Sequence, residues 1–187
     1  MIIVLFNFCS KGDDDCVPIV CKKKGVSNEV CGCDCPRGYP GTDCSTKVPP
    51  ARIIINKIKI TGFPNNKEDG STWDIVGAAL DRNPDVWIIL NENTVDPPLF
   101  VSQLFYNISS SDGEYIYITM DTPIVISDIN KVFHLYMFDY DTADSYDYMG
   151  GWDFKIFNEN NAILPKVISI GNGSGVVKFE LQVSYEW

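Results

Sequence analysis

Between Phe138 and Gly150 the chain places four carboxylates, Asp139, Asp141, Asp144 and Asp147, within nine positions. Four like charges so close repel one another unless a cation lies among them. Hard oxygen donors of this kind suit Ca²⁺, which takes about six to eight oxygens in a loose geometry. Residues 132–138 ahead of the acids are apolar and aromatic, and residues 152–157, after Gly150-Gly151, alternate again. The carboxylates are therefore predicted on a loop joining two strands. The plain alternative is a solvated acidic hairpin loop, but an Asp-x-Asp clamped between two strong strands has more order than solvation needs.

Other acids stand near a second apolar segment. Asp74 follows Trp73, and Asp85 opens the strand pattern at 86–90, with Asp69 and Asp81 as substitutes. Trp73 and Trp87 read as core anchors.

Composition narrows the chemistry. The 187 residues suffice for one medium domain and a small one. A net charge of −10 and a sequence pI of about 4.4 argue against nucleic acid, whose phosphates call for Lys and Arg. The single histidine, His134, falls inside a strand pattern, as a core or face residue. Zinc-hydrolase and Ser-His-Asp arrangements are thus poorly supplied.

All seven cysteines lie between Cys9 and Cys44. Cys16, Cys21, Cys31, Cys33, Cys35 and Cys44 crowd into 29 residues, without histidine. Such density means a disulfide scaffold or a metal cluster. The paired Cys-x2-Cys spacings of thiolate zinc sites are absent, so we read disulfides and an exported protein.

Residues 1–8 are apolar but too short to span a bilayer, and look like the tail of a signal peptide. Cys9 follows, then Ser10-Lys11-Gly12 and the acidic run Asp13-Asp14-Asp15. This arrangement resembles bacterial surface lipoproteins. The resemblance implies that Cys9 is acylated, that residues 1–15 are signal remnant and acidic tether, and that the protein is anchored by an N-terminal lipid at the outer cell surface.

Residues 16–46 form a small module. Cys33-Asp34-Cys35-Pro36-Arg37-Gly38-Tyr39-Pro40-Gly41-Thr42-Asp43-Cys44 resembles the C-terminal half of an EGF-like domain. The resemblance implies the pairs Cys16–Cys31, Cys21–Cys33 and Cys35–Cys44, and a spacer or stalk. Residues 47–51, with Pro49-Pro50, read as a stiff linker.

From residue 52 the pattern is β. Residues 52–61 alternate, with Ile54, Asn56, Ile58 and Ile60 on one side and Ile55, Lys57 and Lys59 on the other. Residues 75–80 could add a helical turn. Further strands are expected at 86–90, 99–106, 114–120, 132–138, 152–157, 167–170 and 176–185. The class is all-β, an antiparallel sandwich of about eight strands.

The acidic stretch then gains a family. Phe138-Asp139-Tyr140-Asp141, followed by Asp147-Tyr148-Met149-Gly150, resembles a calcium loop of C2 domains, and Asp74 and Asp85 take the places of the acids in another. The resemblance covers residues 52–187. It implies a C2-like β-sandwich holding Ca²⁺ through Asp74, Asp85, Asp139, Asp141 and Asp147, with Asp144 as an outer or second-ion ligand. It also implies a non-enzymatic role: calcium-dependent binding to phospholipid or a protein partner. Two other readings compete. In one, calcium only orders the loops, and Tyr140, Tyr146 and Tyr148 stack on a glycan. In the other, a carboxylate pair hydrolyses glycosides, although the acids cluster in one loop with no Arg, Lys or His in support.

Overall fold

The computed structural model describes residues 19–74, 83–93, 97–110, 115–141, 145–160, 164–172 and 176–187. Cys9, Cys16, Asp81 and Asp144 lie outside the described residues, as do residues 75–80. The chain divides into two compact units: the boundary falls between Pro49 and Pro50, and the last residue, Trp187, groups with the first unit.

The first unit carries a two-stranded antiparallel ribbon, β1 (Val26–Ser27) with β2 (Cys33–Asp34). Disulfides join Cys21 to Cys33 and Cys35 to Cys44, with Cα separations of 5.7 and 5.3 Å, and Cys31 is also disulfide-bonded. Asn28 organises the ribbon's turn. Its Oδ1 accepts from Val30 N and Gly32 N, and its Nδ2 donates to Asp34 Oδ1.

The second unit is a β-sandwich whose described ordered elements are all strands: β3 (Arg52–Gly62), β4 (Val86–Glu92), β5 (Phe100–Val101), β6 (Ile116–Ile126), β7 (Val132–Tyr140), β8 (Tyr146–Lys155), β9 (Val167–Ile170) and β10 (Lys178–Glu186). They form two four-stranded sheets in the orders β6-β3-β10-β9 and β5-β4-β7-β8, antiparallel throughout. One core lies between them. Ile53, Ile55, Ile58, Ile60, Phe179 and Leu181 come from the first sheet; Val86, Ile88, Leu90, Phe133, Leu135 and Met137 from the second. Each side chain so enclosed contributes about 1.5–3 kcal/mol relative to leaving it in water.

The strand lengths and faces differ from expectation in informative ways. Ile53 and Ile55 face the core ahead of Ile58 and Ile60, so the side of β3 that holds Ile54 turns outward. The alternation changes phase at Asn56, where the register with both β10 and β6 shifts. A bulge sets two residues against one and flips the faces beyond it. Asn56 Nδ2 donates to Ile54 O and to Ser184 Oγ, which seats the extra residue.

The expected strand at 99–106 shrinks to β5. Ser102 Oγ takes the Ile88 amide, and the chain rejoins β4 only at the bridge between Phe105 and Val86. The expected strand at 152–157 starts six residues earlier, at Tyr146. Tyr146 and Tyr148 suit a pleated surface, and they pair with Tyr140 and Phe138. Asp139 and Asp147 thereby sit inside strands, opposite one another, and not on the loop.

Candidate metal centre

β7 alternates strictly, and its inward row runs Phe133, Leu135, Met137, Asp139. The last member of a core-facing row is a carboxylate with 0% exposure. One of its oxygens, Oδ1, accepts the Asp85 amide at 2.7 Å. The other, Oδ2, is buried and meets no hydrogen-bond donor. Burial of the acid, chiefly, then the charges of Asp74, Asp141 and Asp85, push Asp139 up to about 7, against the Asp85 amide, which pulls it down.

Three chain segments deliver the neighbours. After β3, residues 63–74 fold back on themselves through a bridge between Asn66 and Thr72 and the bond Lys67 N to Ser71 O at 2.9 Å. Gly70, at φ 84°, makes the reversal, and Asp69 Oδ1 takes both the amide and the hydroxyl of Ser71. Buried Trp73 pins the loop base by donating its indole N–H to Pro64 O at 2.8 Å. Thr72 Oγ1 then holds Asp74 O at 2.8 Å, which fixes the backbone carrying the Asp74 carboxylate. At the entry to β4, Asp85 O accepts Tyr140 N and Asp85 Oδ1 accepts Asn107 N, each bond 2.8 Å or shorter. Beyond β7, Asp141 N donates to Ser145 O and closes the hairpin.

Carboxylate oxygens of Asp74, Asp139 and Asp141 consequently lie within 4.8 Å of one another. Asp85 stands beside them, its amide on Asp139 and its carboxylate on Asn107 N. Asp147 stands apart in function: its Oδ2 is paired with Lys67 Nζ at 2.5 Å. The acids were expected to lack a Lys or Arg in support, and the structure corrects this. Residues 67 and 147 are 80 positions apart, so no local pattern announces the pair. The one available hint was a lysine in the same short loop that ends at Asp74.

An all-oxygen donor set with a spread of 4.8 Å fits a calcium-sized ion, because oxygens on opposite sides of Ca²⁺ stand about 4.6–5.2 Å apart. The orphaned Oδ2 of Asp139 would gain the partner that burial otherwise denies it. Beside the acids, Lys67, Trp73, Asp147, Tyr148 and Trp152 line a cleft of about 680 Å³.

The outward face of the same sheet carries a run of aromatic rings. Trp87, expected in the core, faces out, with its ring tilted against Phe138 at 5.2 Å and edge-to-face with Tyr146 at 5.9 Å. Tyr148 continues the run to Tyr136 at 5.8 Å, and Tyr140, Tyr146 and Tyr148 are exposed. His134 lies on this face too, its Nδ1 2.5 Å from Asp153 Oδ1 and 3.0 Å from Tyr136 Oη.

No protein-family model matches the chain, and no curated protein matches it either. Similar solved structures include a protein described as a C2 domain, at 11% identity, covering 73% of this chain and 98% of that one with a TM-score of 0.46. A C2 domain of plant extended synaptotagmin 1 is 9% identical, with 74% and 97% coverage and a TM-score of 0.46. Human GIVD cytosolic phospholipase A2, solved with methyl gamma-linolenyl fluorophosphonate and terbium chloride, is 14% identical with a TM-score of 0.43; the match takes in 72% of this chain and only 17% of the phospholipase.

Proposed function

We propose that residues 52–187 form a C2-like module that binds Ca²⁺ through Asp74, Asp139 and Asp141, with Asp85 beside them, and presents the loaded loops to a membrane or protein partner at the cell surface. The observation that carries the reading is Asp139. A carboxylate with 0% exposure, one oxygen unpartnered and two further acids within 4.8 Å is costly to keep without a cation. Ca²⁺ supplies the missing partner and crosslinks the loop after β3 to the end of β7. The role is non-enzymatic. Among the described residues, the oxygens of Asp74, Asp139 and Asp141 lie within 4.8 Å of one another, closer than the carboxyl pairs of glycoside hydrolases, which stand about 5 Å or more apart. Residues 1–15 and the disulfide module serve as lipid tether and stalk, and Cys9→Ser should move the protein out of the membrane fraction.

Calorimetric titration tests the metal directly. Extracellular calcium modules bind in the range of about 10⁻⁴–10⁻³ M, and we expect that range here, with Mg²⁺ weaker. At ten times Kd, binding to the folded state alone adds about 1.4 kcal/mol, a rise in melting temperature of a few degrees. Asp74→Asn and Asp141→Asn should each abolish the response. Without calcium Asp141→Asn should be neutral or mildly stabilising, since one repelling charge is gone. A response unchanged in both variants would put the ion elsewhere and end the C2-like reading of the loops.

The aromatic run supports a second reading. Tyr146 and Tyr148 are 61% and 57% exposed on a sheet face continuous with the acidic loop. Rings so arranged can stack on a glycan, with calcium only ordering the loop. A glycan array run with and without Ca²⁺ separates the two readings.

A further inference from the structure

We infer that the Lys67 ammonium is a built-in cation of the acidic site: it fills the Asp147 side of the cluster and restricts divalent binding to one ion, held by Asp74, Asp139 and Asp141. The inference rests on the calcium reading above and adds how many ions the site takes and which residue decides it.

Asp139 and Asp147 are direct cross-strand partners of β7 and β8. Partners of this kind face the same side with Cβ atoms about 4.5–5.5 Å apart, and like charges there destabilise the sheet. A positive charge is needed between the strands and the loop, and Lys67 provides one, at 2.5 Å from Asp147 Oδ2.

Its placement is built. The backbone of Lys67 is tied at both ends of the turn, its N to Ser71 O and its O to Gly70 N. The Trp73 ring lies 5.6 Å from Nζ, a cation–π contact, and only 26% of the lysine side chain is exposed. The hydrogen bond to Asp147 and the charges of Asp147, Asp141 and Asp139 raise the lysine above its ordinary value, so it stays charged.

Among the described residues the cluster therefore has two halves. In one, Asp147 already holds a cation that the chain itself supplies. In the other, the buried Oδ2 of Asp139 has no donor, and the oxygens of Asp74 and Asp141 are within 4.8 Å. A divalent ion fits the second half. A further ion on Asp147 would have to sit against an ammonium, and this repulsion acts at short range in a partly dehydrated loop. An ammonium is a compact point charge with three donors, and it neutralises Asp147 without imposing a ligand geometry on the neighbouring ion.

Calorimetric titration of the full chain with CaCl₂ tests the inference, with near-UV circular dichroism as a check on folding. The wild type and Lys67→Arg, which keeps the charge, should take about one ion. Lys67→Gln should take about two, and its first ion should bind about tenfold more tightly for want of a repelling neighbour. Asp147→Asn should leave the stoichiometry at about one and weaken the affinity by about tenfold or less, because Asp147 is not a ligand of the first ion but its loss leaves the Lys67 ammonium unneutralised. A wild type that takes two ions, a Lys67→Gln that matches the wild type in number and affinity, or an Asp147→Asn that loses binding would each overturn the inference and leave the calcium reading intact. Loss of the calcium reading looks different: no binding by the wild type, or binding that Asp74→Asn and Asp141→Asn leave unchanged.

Discussion

At the scale of the residue, Asp139 decides the behaviour of the site, because it occupies a core position with a charged group. Its folded-state value of about 7 stands well above the ordinary 3.8 of a free aspartate. The folded protein thus keeps a proton that the unfolded chain releases between those two values. Stability without calcium should be highest, as far as this group is concerned, below about pH 4, should decline as pH rises to about 7, and should stay low above that. The full difference is at most about 4 kcal/mol. Asp139→Asn, which keeps an acceptor for the Asp85 amide and adds a donor toward the other acids, should flatten the slope and exceed the wild type in stability at pH 8. Urea denaturation of both proteins across pH 4–8 in chelator measures the difference; parallel curves would mean that Asp139 ionises in the fold at no cost. Millimolar Ca²⁺ should cancel the wild-type decline, since the metal needs the ionised form. The spacing of Asp139 and Asp141 and the apolar row ahead of them are visible in the sequence, so these two residues were legible as candidate ligands. The position of Lys67 was not, because a partner 80 residues away depends on how a loop is folded back by Trp73 and the Asn66–Thr72 bridge.

At the scale of the element, alternation in residues 52–61, 132–138 and 176–185 was enough to read strands with one buried face. What alternation does not encode is where a strand changes phase. The bulge at Asn56 exchanges the faces of β3, so that Ile53 and Ile55 join the core in place of Ile54. A similar shift in β7–β8 pairing falls between Met137 and Phe138, beside the paired glycines. Gly151 has no room for a side chain: a Cβ there would lie 2.6 Å from Leu135 O and closer still to the Tyr136 ring. Gly151→Ala must push β8 away from β7 and should cost more than about 2 kcal/mol, because backbone cannot yield as a flexible side chain can. Gly70→Ala is the control. Space around Gly70 is open, and only its positive φ of 84° resists a side chain, so the cost should be about 1–2 kcal/mol. Urea midpoints that rank Gly70→Ala as the more damaging variant would contradict this account of the β7–β8 seam.

At the scale of the whole molecule, the two units are stabilised by different physics. Every cysteine lies at or before Cys44, and none falls within the sandwich. The sandwich instead has a continuous apolar core drawn from both sheets. Among the described residues of the first unit, Cys44 is the one fully enclosed hydrophobic group, while Val20, Val26 and Val30 stand 82%, 66% and 84% exposed. With so little apolar surface removed from water, that unit depends on its crosslinks. Bridges closing loops of 12 and 9 residues each contribute about 2–3 kcal/mol by restricting the unfolded chain. Reduction should therefore unfold the first unit and leave the second standing. In a thermal scan of a Trp187→Phe variant with and without reductant, the emission of Trp73, Trp87 and Trp152 should report the same midpoint for the sandwich in both conditions. Limited proteolysis of the reduced protein should cut between residues 16 and 46 first and leave a stable fragment that begins near the Pro49-Pro50 linker. That fragment should bind Ca²⁺ as the intact protein does, since each acid of the proposed site belongs to it. A sandwich midpoint that falls with reduction, or a fragment that loses calcium binding, would mean that the two units share their stability and that the stalk takes part in the site it was expected only to carry.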